Sequence, residues 1–385
     1  MQFLHKGGFP APKMRNLRDS RGIILDVYNP ISVLNNGAKF GIAAAVIIAV
    51  ILTSLPGLGL RAASNTGQTV TEQSDLVRIG YFPNINHAQA VIGVGGGEFQ
   101  KELGSVVVKG QVFSVGPAII EAMLARQVDI AYVGPNPAIN GYIVSNGSLL
   151  RVISGATTGG AVFVVRNDAG IQTAADFAGK KFASPALGNT QDVALRKYLA
   201  DNGYDTRKND GNVEILPAKP SDIVTLMLKK QIDGAWVPEP WGAKLVKEAN
   251  SRIFLDERSL WENGEFASAL IIVRTSYLEQ NPEIVRKFLN AHIEQTEWIN
   301  DNPEQAVKTF NEELRGITGN TIPEDELVEG LSRMELTYDP VEESLYKTAE
   351  DAIDVGFLDS ANLEGIFALD LLNEVLAEKG LDLIE

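Results

Sequence analysis

The strongest constraint on the fold is a short pattern that occurs twice in the chain. Residues 123–133 (MLARQVDIAYV) are echoed 104 positions later by residues 227–237 (MLKKQIDGAWV), with six of eleven positions identical. Each copy reads as an amphipathic helix, a tight turn, a buried strand and a proline-containing stop. A helix that leads into a strand is common, but two copies predict two similar α/β lobes. The loops after both strands should then face one cleft, at the carboxyl ends of the strands.

The composition excludes several kinds of chemistry. The 385 residues contain no cysteine, so disulfides, thiol catalysis, thiolate metal sites and a lipid anchor on an N-terminal cysteine are excluded. His5, His87 and His292 are too far apart in sequence to indicate a histidine-built metal site. We therefore predict neither a metal nor a cofactor. The formal net charge of −15 disfavours nucleic acid as a partner.

The N-terminal segment predicts membrane attachment. Residues 40–60 carry no charge over 21 positions, which is long enough for a transmembrane helix. Residues 1–39 hold six Lys/Arg against two Asp, which predicts a cytoplasmic leader and a single-pass protein of the cell membrane with its globular part outside the cytoplasm. A cleaved signal segment is the alternative, because residues 62–64 are small, although the leader is long for a secretory peptide. Residues 61–74 predict a flexible linker.

The rest of the chain alternates short apolar strands with amphipathic helices, which is typical of an α/β fold. We predict lobe 1 over residues 75–170 together with 266–385, and lobe 2 over residues 171–265. Two crossings between the lobes would form a hinge that allows closure around a ligand. Residues 93–97 (GVGGG) end a helical pattern, which favours a helix terminus over a phosphate-binding loop.

Two predicted loops place the starts of helices at the cleft. They contain Gly134, Pro135 and Asn136 in the first loop and Gly188, Asn189, Thr190 and Gln191 in the second. Unpaired N–H groups and the helix dipole make such helix starts binding sites for anions. Asn and Thr before a helix can equally act as N-caps without any ligand. Because the loops lie at corresponding edges of two lobes, we predict a ligand-binding role.

Aromatic and polar side chains follow other predicted strands. Trp236 lies near the end of the second copy, and Glu239 and Trp241 follow it; all three could hold an apolar or cationic part of a ligand. Alternatively, Trp236 belongs to the core and Glu239 is a first-turn acid of a helix. Comparable positions are Tyr81, Phe82, Asn84 and His87 after the first strand, and Thr157 and Thr158 after another. No Gly-x-Ser-x-Gly elbow or other catalytic constellation occurs, so we predict a binding protein and not an enzyme.

Four segments resemble one known family. Residues 79–84 (IGYFPN), 129–137 (DIAYVGPNP), 187–193 (LGNTQDV) and 233–241 (DGAWVPEPW) look like segments of the substrate-binding proteins of ABC importers, in particular the sulfonate, taurine and nitrate group. The resemblance implies a two-lobed periplasmic-binding-protein-like fold of type II. It also implies a ligand trapped between the lobes and delivered to ABC permease subunits, which a cytoplasmic ATPase drives. By similarity, ligand contacts fall on residues 81–84, 134–137, 157–158, 188–191 and 236–241. The missing lipobox cysteine departs from the family pattern and fits an anchor made of protein.

These observations predict a monomeric, membrane-tethered solute-binding protein for a small oxyanion. An aliphatic sulfonate or taurine is favoured, because Trp236 and Trp241 could pack on an organic group and Glu239 could meet an amine. Nitrate, bicarbonate or a thiamine-type pyrimidine are alternatives within the binding class. An exported hydrolase or lyase on the same fold is an alternative from another class, although the related enzymes use a cysteine that this chain lacks. A signalling ectodomain is a further alternative.

Overall fold

Two β-sheets form the framework of the chain. The computed structural model describes residues 16–18, 24–27, 75–204 and 213–384. The strands in these residues are β1 (Asn16–Arg18), β2 (Ile24–Val27), β3 (Leu76–Tyr81), β4 (Val107–Val112), β5 (Ile130–Val133), β6 (Leu150–Gly159), β7 (Ala161–Arg166), β8 (Lys180–Ser184), β9 (Val213–Pro217), β10 (Gly234–Pro238), β11 (Ser251–Asp256), β12 (Ala267–Arg274) and β13 (Met334–Leu336). One sheet has the order β1-β2-β4-β3-β5-β12-β6-β13, and the other has the order β11-β7-β10-β8-β9.

Helices cover the faces of both sheets. They are α1 (Ala88–Gly95), α2 (Glu98–Leu103), α3 (Gly116–Leu124), α4 (Pro135–Val144), α5 (Thr190–Asp201), α6 (Pro220–Leu228), α7 (Trp241–Glu248), α8 (Thr275–Gln280), α9 (Pro282–Asp301), α10 (Pro303–Thr318), α11 (Glu324–Leu331), α12 (Glu342–Asp354) and α13 (Asp370–Lys379). Short 3-10 helices cover Ile85–His87, Ala174–Phe177, Glu257–Leu260 and Glu262–Gly264. Proline lies in the first turn of α3, α4, α6, α9 and α10, where its missing N–H costs no hydrogen bond.

The two sheets define the two lobes. Lobe 1 contains the eight-stranded sheet, and lobe 2 contains the five-stranded sheet with α5, α6 and α7. The chain enters lobe 2 over Gly159 and Gly160, both at φ 71, and returns between β11 and β12. The crossing therefore comes before the boundary predicted after residue 170. The apolar sequence of residues 161–165 does not show which of the two sheets this strand joins. Gly159 and Gly160, both in the left-handed region, turn the chain so that β7 pairs with β10 and β11.

The predicted membrane segment, residues 40–60, lies outside the described residues, as do the linker at 61–74 and most of the leader. Among the residues that are described, none of the helices combines the length and the apolar content that crossing a bilayer requires. Two strands of the leader are described. β1 pairs with β2, and β2 pairs in parallel with β4 at the edge of the lobe 1 sheet.

The repeated pattern forms the same structure in both lobes, as predicted. β5 is parallel to β3 and antiparallel to β12, and β10 is parallel to β8 and antiparallel to β7. The turn from helix to strand is left-handed at the same position in each copy, with φ 56 at Arg126 and at Lys230. A carboxylate then accepts a backbone N–H from the neighbouring parallel strand, at 3.0 Å from Arg78 to Asp129 and at 2.9 Å from Lys181 to Asp233.

Each lobe has an aromatic core beside its repeated strand. In lobe 1 the ring of Tyr132 contacts Phe288 of α9 edge-on, with 6.3 Å between centroids. In lobe 2 Trp236 stacks on Phe163 of β7, with 5.3 Å between centroids, and Phe182 packs edge-on against the same phenyl ring. Burial of such large rings supplies much of the stability of a lobe.

The glycine run at 93–97 is the terminus that was predicted, and close packing explains its composition. α1 ends at Gly95, and Gly97 at φ 86 leads into α2. A Cβ on Gly93 would lie 2.4 Å from the ring of Phe99, and a Cβ on Gly95 would lie 2.5 Å from the carboxylate of Glu313. The run therefore lets α2 and α10 pack directly on α1.

Candidate functional site

A small cavity lies between the two lobes. Lobe 1 lines it with Phe82, Asn84, Asn86, His87, Ser114, Gly134 and Ser268, and lobe 2 lines it with Pro185, Asn189, Thr190, Gln191, Pro220 and Pro238. The volume of the cavity that the centre of a water molecule can occupy is about 20 Å³. That is room for about one water-sized group, so the lobes lie close together here.

Structurally equivalent loops of the two lobes line this cavity in pairs. The segments after the equivalent strands β3 and β8 contribute Phe82, Asn84, Asn86 and His87 from lobe 1 and Pro185 with residues 189–191 from lobe 2. Ser114 and Pro220 follow β4 and β9, Gly134 follows β5, and Pro238 is the last residue of β10. The carboxyl ends of the strands in both sheets therefore meet at one site, as expected for open α/β sheets.

On the lobe 2 side, the start of α5 presents hydrogen-bond donors. Asn189 is the N-cap, so the N–H groups of Thr190 and Gln191 have no partner within the helix. The hydroxyl of Thr190 is buried and has no hydrogen-bond partner within the described residues. Asn189 Nδ2 lies 3.4 Å from Gln191 Oε1, so the amide NH₂ of Gln191 remains available. These donors lie at the positive end of the helix dipole, which favours an anion.

On the lobe 1 side, two side chains have a fixed donor orientation. Trp241 Nε1 donates to Asn84 Oδ1 at 3.0 Å across the lobes, which leaves the Asn84 NH₂ group available in the cavity that Asn84 lines. The Phe82 N–H donates to His87 Nδ1 at 3.3 Å, so the imidazole proton sits on Nε2. Burial lowers the pKa of His87 to about 3, and the ring is therefore neutral at physiological pH.

The start of α4 contributes less than predicted. Gly134 lines the cavity, but Pro135 and Asn136 do not. Prolines at 135 and 137 remove two of the N–H groups of the first turn, so α4 offers fewer backbone donors than α5. The lobes touch at this point, because a Cβ on Gly134 would lie 2.4 Å from Thr190 Oγ1.

Trp236 and Glu239 lie outside the lining of the cavity, and the ligand contacts predicted for them stay predictions. Trp236 is fully buried in the lobe 2 core, where its Nε1 donates to Glu257 Oε2 at 2.6 Å. Glu239 is buried and already paired, since it accepts from Arg333 Nη1 at 2.7 Å and from the Ala243 N–H at 2.9 Å. Burial raises the pKa of Glu239, while these two donors oppose that rise. Trp241 acts through its bond to Asn84 and is not a lining residue.

Four other predicted contacts also lie away from the lining. Tyr81 is buried in the lobe 1 core, where burial raises the pKa of its hydroxyl. Thr157 is buried and donates to the Asn86 carbonyl at 2.7 Å, and Thr158 follows it half-buried on β6. Gly188 adopts φ 70 in the turn, and its N–H donates to Asp192 Oδ2 at 2.9 Å. None of these four residues lines the cavity.

Five lining residues were not predicted from the sequence. They are Asn86, Ser114, Pro185, Pro220 and Ser268, whereas Pro238 falls within the predicted range 236–241. Ser114 and Pro220 follow strands that were predicted, so the rule for carboxyl ends of strands could have found both. Ser268 lies within β12 and carried no such signal.

The lining has a clear chemical character. None of its described residues is an Asp, Glu, Lys or Arg, and His87 is neutral. Uncharged amide, imidazole and hydroxyl groups therefore surround the cavity, together with an apolar wall of Phe82, Pro185, Pro220 and Pro238. Such a site can hold a small polar solute with several hydrogen-bond acceptors.

Two α/β lobes that enclose a polar cavity define a cleft-type binding protein. The chain belongs to the NMT1-like family, which matches residues 71–311. A Brucella abortus protein whose name describes it only as a binding protein is 27% identical over 228 residues, which is 57% of this chain and 68% of that protein. The taurine-binding periplasmic protein of Escherichia coli is 25% identical over 210 residues, 54% of this chain and 62% of that protein.

Solved structures show the same fold. The periplasmic nitrate-binding protein of Synechocystis PCC 6803 superposes with a TM-score of 0.64 at 17% identity, over 79% of this chain and 89% of that protein. The fold and the family together confirm the resemblance to the substrate-binding proteins of ABC importers.

Proposed function

We propose that this chain is an extracytoplasmic solute-binding protein of an ABC importer that captures a small oxyanion between its lobes. One observation supports the choice of an oxyanion above others. Donors with a fixed orientation come from both lobes, namely Asn84 and His87 from lobe 1 and the start of α5 from lobe 2. No described lining residue is a carboxylate, which would repel an anion.

Within that class, we propose a short aliphatic sulfonate. Three sulfonate oxygens can accept several of these N–H and O–H groups, and a short alkyl group can pack on the proline wall. The amine of taurine has no acidic partner in the lining, because Glu239 is paired with Arg333 outside it. We therefore expect taurine to bind no more tightly than ethanesulfonate. Nitrate is the second candidate, because the cavity holds about one water-sized group as it stands and a sulfonate needs the lobes to lie further apart.

A thermal-shift series on the full chain tests this proposal. The compounds are ethanesulfonate, taurine, nitrate, bicarbonate and an aminopyrimidine, each at matched ionic strength with chloride as the control. A ligand at 100 times its dissociation constant stabilises the folded state by about 2.7 kcal/mol. We expect the largest shift with ethanesulfonate. A thermal shift with nitrate alone would make nitrate the proposed ligand in place of the sulfonate. A thermal shift with the pyrimidine alone would overturn the oxyanion proposal.

The proposal includes release of the ligand unchanged to a permease partner. His87 supports this proposal, because its ring is neutral and its Nδ1 already accepts the Phe82 N–H. Such a histidine is suited to hydrogen bonding more than to proton transfer. Incubation of the full chain with labelled ethanesulfonate, followed by chromatography, should return the compound intact. Any turnover would favour a hydrolase or lyase on this fold.

We further propose that residues 40–60 direct the globular part out of the cytoplasm, as an anchor or as a signal segment. When β2 pairs with β4, the described residues 16–18 and 24–27 lie on the same side of a membrane as lobe 1. Protease treatment of intact spheroplasts distinguishes a leader in the cytoplasm from a leader that lies outside with lobe 1. A cytoplasmic leader would leave a protected N-terminal fragment, whereas a leader paired with lobe 1 would be digested together with it.

A further inference from the structure

A second cavity lies within lobe 1, between α1–α2 on one side and α9–α10 on the other. Its volume is about 490 Å³, and it shares no lining residue with the cavity between the lobes. A volume of this size falls in the range of small-molecule sites. Gly96 forms part of the wall, so the glycine run that ends α1 leaves this side free of side chains.

One face of α9 supplies the inner wall. Ala291, Glu294, Gln295 and Trp298 recur at helical spacing and all line the cavity. Gln295 is only 5% exposed, yet its amide has no hydrogen-bond partner within the part of the chain that the structure describes. The amide is therefore free to donate to or accept from a molecule in the cavity that it lines. The indole of Trp298 is half-buried one turn further along.

The rim of this cavity is acidic. Glu98, Glu102 and Glu294 line it, with Lys101 as the opposing charge. Lys101 lies 3.6 Å from Glu98, and Lys379 donates to Glu294 Oε1 at 2.9 Å from outside the lining. Glu102 faces no cation within the described residues and accepts only from the Asn290 amide, at 2.9 Å. The local charge therefore favours a cation over an anion, the opposite of the cavity between the lobes.

We propose that this cavity binds a small organic cation that carries an ammonium group and an oxygen function. The ammonium group would lie against the indole face of Trp298, within reach of Glu102 and Glu294, because a tryptophan face attracts cations. The oxygen function would pair with the unpartnered amide of Gln295. The site is independent of the oxyanion site, since α9 and α2 contribute nothing to the cleft lining.

Titration calorimetry of the full chain with choline and with its uncharged isostere 3,3-dimethyl-1-butanol tests the proposal. We expect choline to bind and the alcohol to bind at least about tenfold more weakly, because only choline offers charge to the indole and carboxylates. The indole N–H signal of Trp298, assigned with Trp298→Phe, should shift on addition of choline. Equal affinity for the two compounds, or no binding of choline at millimolar concentrations, would overturn the proposal.

Two variants separate recognition from folding. Glu102→Gln and Trp298→Leu should each weaken choline binding at least about fivefold, while the oxyanion-dependent thermal shift stays as in the parent chain. Glu335→Gln serves as the matched control, because Glu335 lines a different acidic surface of lobe 1 and should leave choline binding unchanged. Choline binding that survives both Glu102→Gln and Trp298→Leu would place the cation elsewhere and overturn the proposal.

Discussion

The two copies of the repeated unit occupy equivalent places in their lobes, but their aromatic side chains have different hydrogen-bond partners. The hydroxyl oxygen of Tyr132 lies 3.0 Å from His292 Nδ1, whereas Trp236 Nε1 donates to Glu257 Oε2 at 2.6 Å. His292 Nε2 lies 3.0 Å from the Gly155 carbonyl, so it carries the proton and Nδ1 accepts from the tyrosine. The repeat therefore determines the backbone of both units, while segments distant in sequence determine how each aromatic side chain is held.

The same contrast extends to the buried titratable groups. Burial lowers the pKa of His292 and of His87 in lobe 1 to about 3. Burial raises the pKa of Glu257 in lobe 2 to about 7, although hydrogen bonds from Trp236 and Trp261 oppose the rise. The histidines stabilise the fold above their ordinary pKa of 6.5 and lose that contribution as the pH falls toward 3. Glu257 stabilises the fold below its ordinary pKa of 4.5 and loses that contribution as the pH rises toward 7.

The largest difference between the copies should appear at their shared aspartates. Asp129 is fully buried and meets Arg274 at 2.7 Å, whereas the Asp233 side chain is 20% exposed and meets Arg166 at 3.0 Å. Breaking a buried pair leaves an uncompensated charge, so we expect Asp129→Asn to lower the free energy of unfolding by about 3 kcal/mol and Asp233→Asn by about 1 kcal/mol. Urea denaturation measures both values. The exposed Asp359→Asn is the control, and equal losses at 129 and 233 would contradict the distinction.

A pH series sharpens the comparison at Glu257. Its folded pKa of about 7 lies above the ordinary 4.5, so its contribution is complete below pH 4.5 and is lost as the pH rises through 7. Glu257→Gln should therefore gain about 2 kcal/mol relative to the parent chain between pH 5 and pH 8. Denaturant unfolding at both pH values provides the measurement. A difference between the two proteins that does not change with pH would mean that Glu257 titrates in its ordinary range.

The contact between the lobes should have a smaller effect than Asp129 or Glu257. Gly134→Ala should weaken oxyanion binding about tenfold, equivalent to about 1.4 kcal/mol, because the new Cβ meets Thr190 Oγ1 and the lobes cannot close fully. Gly316→Ala is the matched control, since a Cβ there has no neighbour within 4 Å. Calorimetric titration compares the two variants. Unchanged affinity in Gly134→Ala would show that this approach of the lobes plays no part in binding.

How far the sequence determines the structure differs between these regions. The repeat predicted two α/β lobes, and the rule for helix starts identified Asn189, Thr190 and Gln191 at the cavity. The position of Trp236 was not predictable, because a strand buried on both faces gives no alternation that separates core from cleft. The pairing of Glu239 with Arg333, 94 residues further along the chain, left no local signal either.

The central claim is that equivalent loops of the two lobes hold one small anion together. Amide hydrogen exchange, followed by mass spectrometry with and without the oxyanion that gives the largest thermal shift, tests it directly. We predict slower exchange in peptides that cover residues 82–87 of lobe 1 and residues 188–192 of lobe 2, at the same ligand concentration. Slower exchange in only one of these two segments would contradict the claim, because a ligand bound to a single lobe cannot be gripped between both.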